Sequence, residues 1–214
     1  MITIAILVLT VGFSVYAMND AEIKYKYIFH PYSIKKHNQH YRFLSHAFLH
    51  GDYLHLAFNM YALWMFGPIV EEQILPLLLG EYGSPDKKTG TVFYILLYTG
   101  AIYASSLSEY FKNKNKIYYT SLGASGAVNA LIFAFITCSP LSQLGFFFIP
   151  MQAWIFGILY LGISYYLSKR KQDNNNVDSI GHEAHFWGAI FGILFTLALG
   201  LLNQEVYFKL IKYH

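Results

Sequence analysis

Apolar residues in this chain occur in runs long enough to cross a membrane. From Ile117 to Ser168 the sequence contains no Asp, Glu, Lys, Arg or His. As one helix this run would be about 78 Å long, whereas the hydrocarbon core of a bilayer is about 30 Å thick. The chain must therefore turn back, and Pro140 and Pro150 mark the break because proline interrupts helices. The pattern predicts two spans, at about residues 122–138 and 151–168.

Four further runs pass the same length test, and they cover residues 1–18, 53–70, 91–107 and 186–202. The first run lacks a basic start and an Ala-x-Ala cleavage site, so we interpret it as a retained span and not as a signal peptide. Glu71 and Glu72 are expected to close the second run. Only helices and closed barrels satisfy every backbone group in lipid, and these runs are too long for barrel strands. The sequence predicts an all-α membrane protein with six transmembrane helices in a single domain, residues 1–214.

Two connections between the runs differ from ordinary loops. Residues 19–51 carry five basic residues and many Tyr, Phe and His side chains. Amphipathic rings favour the headgroup region, and loops of this length are usually functional or disordered. We therefore expect a long interfacial first loop. Residues 169–180 are polar and Asn-rich, and we expect them to form a flexible loop.

The composition narrows the class of protein. Hydrophobic residues make up 55% of the chain and charged residues 13%, which is too apolar for an ordinary soluble surface. The net charge is +3 and the basic residues are scattered over separate loops, so the sequence predicts no nucleic-acid partner. The single cysteine, Cys138, lies in an apolar run without a partner for an intrachain disulfide. The sequence carries no signal for an oligomeric state.

Polar residues mark the starts of three of the predicted spans. In an up-and-down bundle the second, fourth and sixth helices are parallel, so their N-terminal ends lie at one membrane face. His55, Ser125 and His185 stand at those three ends. Such groups are costly at membrane depth and indicate function, and a serine with a histidine can form a base-activated nucleophile.

Other polar groups fit the same site. His55 and Asn59 are four residues apart, so they share one helical face and can donate hydrogen bonds toward a common point. Ser125 would add its own backbone N–H and the positive end of a helix dipole. This arrangement predicts an oxyanion-stabilising group made by His55 and Asn59.

Small residues predict how the fourth and sixth spans pack. Gly188 and Gly192 follow His185 by three and seven positions, and Gly126 with Ala130 forms a matching small face. Small residues let membrane helices approach closely, which would bring the serine hydroxyl within hydrogen-bond reach of the histidine. The predicted packing residues near the site are Gly123, Gly126, Gly188 and Gly192. Each feature alone has a structural explanation, and their meeting at one depth favours a functional site.

Three motifs occur in a characteristic order: His55-Leu56-Ala57-Phe58-Asn59, Gly123-Ala124-Ser125-Gly126 and Ala184-His185-Phe186-Trp187-Gly188. With these motifs the chain resembles the rhomboid intramembrane serine proteases, from the first loop to the sixth span. The stretch 41–51 also resembles the end of a rhomboid first loop, with Tyr41-Arg42 where the family typically has Trp-Arg.

The resemblance implies a reaction and roles for the residues. Ser125 would be the nucleophile and His185 its general base and later general acid, while His55 and Asn59 would stabilise the oxyanion. Glu183 is not placed to orient the histidine, so we expect a Ser–His dyad without a metal or cofactor. The substrates would be transmembrane segments of membrane proteins, which enter from the bilayer between the second and fifth spans. His50 is expected to help keep the cavity hydrated.

One position departs from the family pattern. Rhomboids often have an aromatic residue four positions after the nucleophile, where it stacks against the catalytic histidine. Here that position is Asn129. Our hypothesis at this point is that a hydrogen bond from Asn129 orients His185.

The resemblance also implies a location, the inner membrane of a bacterium with the active site facing outward. Eleven of the fifteen basic residues would then lie on the outer side. The positive-inside rule favours the reverse orientation. The expectation follows the resemblance, although the distribution of basic residues conflicts with it.

Two other functions fit parts of the pattern. One alternative is a proteolytically inactive rhomboid-like protein that binds membrane clients, although the intact Ser125 and His185 argue against it. The other is a small transporter or channel, which would need polar groups at both faces and at mid-depth. The fifth span offers only Gln152 and Ser164, so a cavity open on one side fits the sequence better.

Overall fold

Helices make up most of the protein in a computed structural model that describes residues 1–80, 84–146, 149–170 and 181–213. The helices are α1 (Ile2–Met18), α2 (Ala21–Tyr27), α3 (Pro31–His37), α4 (Arg42–Ser45), α5 (Tyr53–Ile69), α6 (Leu75–Leu79), α7 (Lys87–Asn113), α8 (Ser125–Cys138), α9 (Ala153–Arg170), α10 (His182–Leu202) and α11 (Gln204–Tyr213). A 3-10 turn covers His46–Phe48, and a π-helical turn at Val70–Ile74 joins α5 to α6.

Among the described residues, three helices are long and apolar enough to cross a membrane, at Tyr53–Leu79, Lys87–Asn113 and His182–Leu202. α1 and α8 are apolar but shorter. Each of these five helices overlaps a predicted span, and α9 overlaps the fifth predicted span, residues 151–168. The chain is a membrane-type helical protein.

The second span is longer than the sequence predicts. Glu71 does not close the helix, because its carboxylate is buried against the start of α1 and accepts hydrogen bonds there. Its oxygens accept from the backbone N–H groups of Ile2, at 2.5 Å, and Thr3, at 2.9 Å. These N–H groups have no partner within α1, so they replace the water that the carboxylate would otherwise need. The helix continues to Leu79.

Other boundaries differ by a few residues. α7 begins at Lys87 and not at 91, because the Asp86 side chain caps it by accepting from the N–H of Thr89 at 3.0 Å. α8 begins only at Ser125. α10 begins at His182, so His185 lies in the first turn of the helix and not before it.

The predicted break between the fourth and fifth spans contains a hairpin that the sequence reading missed. β1 (Gln143–Phe146) pairs antiparallel with β2 (Ile149–Gln152), with Gln143 opposite Gln152. Helix α11 was also not predicted. The flexible-loop prediction falls largely on residues 171–180, outside the described residues, while Lys169 and Arg170 belong to α9.

The first connection contains the short helices α2, α3 and α4. Arg42 holds them together, because its buried guanidinium donates to the carbonyl oxygens of Tyr25, at 2.8 Å, and Ile28, at 2.7 Å. Helix α8 lies at the centre of the fold, with eleven of its fourteen residues buried. It packs against α5, α7, α9, α10 and α11.

Candidate active site

The turn before α8 requires glycine. Gly123 has a φ of +125°, a conformation that residues with a side chain avoid. The ring of His55 also lies against it, so an added Cβ would be 3.1 Å from His55 Cε1. The Gly123 N–H donates to the carbonyl oxygen of His46 at 3.1 Å. This turn places Ser125 at the first position of α8, directly after Ala124.

Helices α8 and α10 touch through their backbones. A Cβ added to Gly188 would lie 2.1 Å from the carbonyl oxygen of Gly126, and one added to Gly192 would lie 2.3 Å from that of Ala130. No side chain fits between these helices at either point. His185 precedes Gly188 by three residues, so the contact sets the start of α10 beside the first turn of α8.

A cavity of about 530 Å³ opens at the starts of these helices. Its wall contains the predicted nucleophile Ser125, the predicted base His185, and both predicted oxyanion residues, His55 and Asn59. The remaining lining residues are Asp52, Leu54, Phe58, Ala62, Val128, Asn129, Ile132 and Tyr160. The four residues predicted to do the chemistry, which are far apart in sequence, therefore line one cavity.

The start of α5 fixes His55 and Asn59. The Asp52 side chain caps the helix by accepting from the His55 N–H at 2.8 Å. One turn later, the Asn59 side-chain amide donates to the His55 carbonyl oxygen at 3.0 Å. An amide nitrogen carries two N–H groups, so this bond uses one donor of Asn59.

Two buried histidines lie behind this helix start. Ser14 of α1 donates its hydroxyl proton to the Phe48 carbonyl oxygen at 2.8 Å, so it accepts from His50 Nδ1, also at 2.8 Å. The His50 ring meets the His55 ring edge-on at 5.0 Å. Burial lowers the pKa of His50 to about 3 and that of His46 to about 4, which keeps both rings neutral near pH 7.

Glu183, the acidic residue nearest His185 in sequence, binds residues of α7. Glu183 forms an ion pair with Lys112 of α7 at 2.6 Å and accepts a hydrogen bond from Ser108. Asp52 lies in the cavity wall, where it caps α5. Among the described residues no group of three or more His, Cys, Asp or Glu side chains is arranged to hold a metal ion. Cys138 is buried near the other end of α8.

The sequence reading missed Tyr160 as a site residue. Its ring stacks on the His185 ring, with 6.4 Å between ring centroids and 24° between ring planes. Helix α9 has several aromatic residues, so the sequence alone does not distinguish Tyr160 from the others. The Asn129 side chain donates to the carbonyl oxygen of Ser125 at 2.8 Å. A hydrogen bond from Asn129 to His185 stays a prediction.

The fold and the cavity define a helical membrane protein with a serine and a histidine in one cavity at the starts of two closely packed helices. The chain belongs to the rhomboid family, because the family model of the rhomboid domain matches residues 37–201.

Curated relatives come from mitochondria and from bacteria. The chain is 29% identical to "RHOMBOID-like protein 12, mitochondrial" of Arabidopsis thaliana over 65% of its own length and 41% of the relative. It is 26% identical to human "Presenilin-associated rhomboid-like protein, mitochondrial" over 72% of its own length and 36% of the relative. It is 28% identical to "Rhomboid protease GlpG" of Yersinia pestis, with 77% and 50% covered.

The chain thus spans half or less of the length of these relatives. Rhomboid proteases are among the proteins it resembles, and the family is one of membrane proteins. Because two of these relatives are named as mitochondrial proteins, the comparisons do not support the predicted location in a bacterial inner membrane.

Proposed function

We propose that this protein is an intramembrane serine endopeptidase with six transmembrane helices, α1, α5–α6, α7, α8, α9 and α10, that cleaves transmembrane segments of other proteins. The observation that carries the proposal is the single cavity wall shared by Ser125, His185, His55 and Asn59. The backbone contact between α8 and α10 supports it, because it holds the helix of the serine against the helix of the histidine.

The proposed first step is attack of the Ser125 Oγ on the carbonyl carbon of the scissile peptide bond. His185 takes the serine proton as general base, and the resulting tetrahedral intermediate carries a negative oxygen. When the carbon–nitrogen bond breaks, His185 returns the proton to the leaving amine. Water then attacks the acyl-serine with the same histidine as base, which releases the second product.

The proposed oxyanion donors lie on two helices. The backbone N–H at the start of α8 is not used within the helix, and the positive end of the helix dipole favours a negative oxygen there. Asn59 and His55 would donate from α5, Asn59 with the second N–H of its amide. Removing one donor of this kind typically lowers kcat about 100- to 1,000-fold.

We infer that the substrate reaches the cavity between α5 and α9. The cavity wall contains Leu54 and Phe58 of α5 and Tyr160 of α9. Leu54 and Phe58 are 67% and 64% exposed, so this wall offers apolar side chains to lipid as well as to the cavity. A transmembrane segment must unwind locally to present a peptide bond, so small or helix-breaking residues are expected near the cut.

A fluorophosphonate serine probe tests the proposal on detergent-purified protein. Wild type is expected to react, and Ser125→Ala and His185→Ala are expected not to. Matched controls are Ser168→Ala, whose hydroxyl donates to the Tyr165 carbonyl oxygen of its own helix, and His37→Ala, at an exposed position. Both controls should react like wild type.

Cleavage of a transmembrane peptide in proteoliposomes, with the same five proteins, tests the activity itself. If folded wild type neither reacts with the probe nor cleaves the peptide, the peptidase proposal is wrong and the inactive, client-binding relative takes its place. Reaction that survives in Ser125→Ala would mean that a different serine is the nucleophile.

We further propose that the loop containing α2–α4 lies at the membrane face of the cavity, outside the compartment that holds both chain ends. The only cysteine is buried, which allows a labelling test with single cysteines introduced at exposed positions. Under the proposal, His40→Cys reacts with a membrane-impermeant maleimide on intact cells, and Lys88→Cys reacts only after the membrane is opened. The opposite pattern would support the orientation that the positive-inside rule favours.

A further inference from the structure

The stacking of Tyr160 on His185 joins the predicted base to a helix that carries none of the predicted catalytic groups. The centroid distance of 6.4 Å lies within the range in which ring pairs interact, about 4.5–7 Å. Tyr160 also lies in the wall of the same cavity. Its ring therefore limits the directions that the His185 imidazole can take.

Tyr160 is in turn connected to the helix of the nucleophile. Tyr160 and Asn129 line the same cavity, and the Tyr160 hydroxyl lies near the side chains of Asn129 and Ser164. Asn129 is only 4% exposed, and its amide donates to the Ser125 carbonyl oxygen at 2.8 Å. The histidine ring, the tyrosine ring, the asparagine amide and the backbone of the serine are therefore successive neighbours.

Neighbouring rings hold Tyr160 in place. Phe133 of α8 lies 5.8 Å from it and Phe156 of α9 lies 5.6 Å from it, between ring centroids. A ring packed on these two sides has little freedom to turn. The Tyr160 ring is therefore suited to holding the His185 ring in one orientation.

We propose that Tyr160 is a positioning residue that holds the His185 imidazole toward Ser125, and that Asn129 acts by fixing the Tyr160 hydroxyl. This inference rests on the proposed peptidase function. Glu183 is bound to Lys112 and Ser108, so a stacked ring supplies the orientation that a carboxylate supplies in a Ser-His-Asp triad. Asn129 then influences the histidine through the tyrosine.

The first test compares kcat, KM and thermal unfolding for Tyr160→Phe, Tyr160→Leu and the control Tyr166→Leu. Tyr166 is on the same helix and is 61% exposed. Tyr160→Leu is expected to lower kcat roughly 10- to 100-fold with little change in KM, because a small misplacement of a catalytic group has effects of that size. Tyr160→Phe keeps the ring but loses the hydroxyl that Asn129 is proposed to fix, so its kcat should fall by about three- to tenfold, less than that of Tyr160→Leu. Tyr166→Leu should match wild type.

The second test exchanges the two residues. Tyr160→Asn alone is expected to lose activity like Tyr160→Leu. The double variant Asn129→Tyr with Tyr160→Asn returns a ring to the same space from α8, and it is expected to recover at least about tenfold in kcat. A general packing role for Tyr160 predicts no such recovery, since the double variant changes two buried positions.

Three outcomes overturn the inference. One is a Tyr160→Leu variant that matches wild type in kcat, and another is a loss in which kcat falls only together with the unfolding temperature. In the third, the exchanged variant is no better than Tyr160→Asn. The peptidase proposal stands in each of these outcomes when wild type reacts with the fluorophosphonate probe. A wild type that does not react overturns both proposals together.

Discussion

Helices α10 and α9 flank α8 and meet it in opposite ways. The α10 glycines are in backbone contact with α8, so that an added Cβ at Gly188 would lie 2.1 Å from the nearest atom. On α9 the three atoms nearest to a Cβ added at Gly157 belong to side chains, at an ordinary 3.4 Å or more, and among the described residues no atom lies within 4 Å of one added at Gly162. α10 is therefore fixed to α8 by backbone, whereas side chains make the nearest contacts at Gly157.

This difference indicates two functions of the cavity wall, one side holding the serine and the histidine in place and the other admitting a substrate. The fixed side holds the serine and the histidine on helices that cannot shift independently. The α5 side borders the cavity with Leu54 and Phe58, exposed side chains that can change rotamer to admit a substrate. The glycine contacts make the difference measurable.

Gly188→Ala should have the largest effect on stability. It should cost more than alanine at Gly126, Gly157 or Gly200, where the atoms nearest to the added methyl group belong to side chains that can move aside. The added methyl group meets the Gly126 backbone, which cannot move aside as a side chain can. Overpacking of this kind costs about 3 kcal/mol or more when backbone must shift, so we expect a clear loss of thermal stability and of probe labelling. Unfolding in detergent, followed by circular dichroism, measures it. A variant as stable as wild type would mean that the two helices are not fixed.

Acid should lower the stability of the fold through His46, whose carbonyl oxygen accepts from Gly123 in the turn before α8. The pKa of His46 is lowered from 6.5 in the unfolded chain to about 4 by burial, so the unfolded chain binds more protons between these pH values. Stability should therefore be full above about pH 6.5 and fall toward pH 4, by roughly 3 kcal/mol from this residue. His50, with its pKa lowered to about 3, adds to the slope.

His46→Phe isolates this contribution. The ring of His46 already packs against Phe29 at 5.1 Å, and phenylalanine has a similar shape but no proton to bind. The variant is expected to show a smaller loss of unfolding temperature between pH 7 and pH 4.5, with the exposed His40→Phe as control. An unchanged pH slope would show that protonation of His46 is not linked to unfolding.

Gly126→Ala should be milder than Gly188→Ala, although both glycines lie at the same contact. Its added methyl group meets the Ser105 side chain, which can rotate or be shortened. We expect a loss of about 1–2 kcal/mol, and partial recovery in the double variant with Ser105→Gly. The same unfolding measurement decides, and a double variant no better than the single one would contradict this explanation.

Gly162→Ala should have the smallest effect and the opposite sign. In the part of the chain that the structure describes, no atom lies within 4 Å of the added methyl group, and alanine favours helix over glycine by about 0.5–1 kcal/mol. The unfolding temperature should stay the same or rise slightly. A loss comparable to that of Gly126→Ala would show that α9 packs as tightly as α10.

Much of the fold follows from the sequence because the apolar runs are long and regular. Each predicted span contains a helix, and the three that are long and apolar enough to cross a membrane are among them. The ends were harder to predict, because they depend on distant partners. Glu71 has the sequence pattern of a helix end, and only the N–H groups of Ile2 and Thr3, which bind its carboxylate, let the helix continue past it.

The site residues also divide into those that the sequence predicts and one that it does not. Ser125, His185, His55 and Asn59 were predictable because parallel helices place their first turns at one level, and all four line the cavity. Tyr160 was not, because it comes from the middle of a helix with many aromatic residues. Its contact with His185 depends on how α9 rotates against α8, which no local pattern encodes.

The short length of α8 has a consequence for the surrounding lipid. Its 14 residues measure about 21 Å, roughly 9 Å less than the hydrocarbon thickness of a typical bilayer. With its far end at the opposite interface, Ser125 would lie below the level of the headgroups, and the proposed cleavage would take place at a depth where water is otherwise scarce. Bilayers of shorter acyl chains would bring Ser125 nearer to the aqueous phase, so under the proposed function the rate of cleavage should depend on membrane thickness.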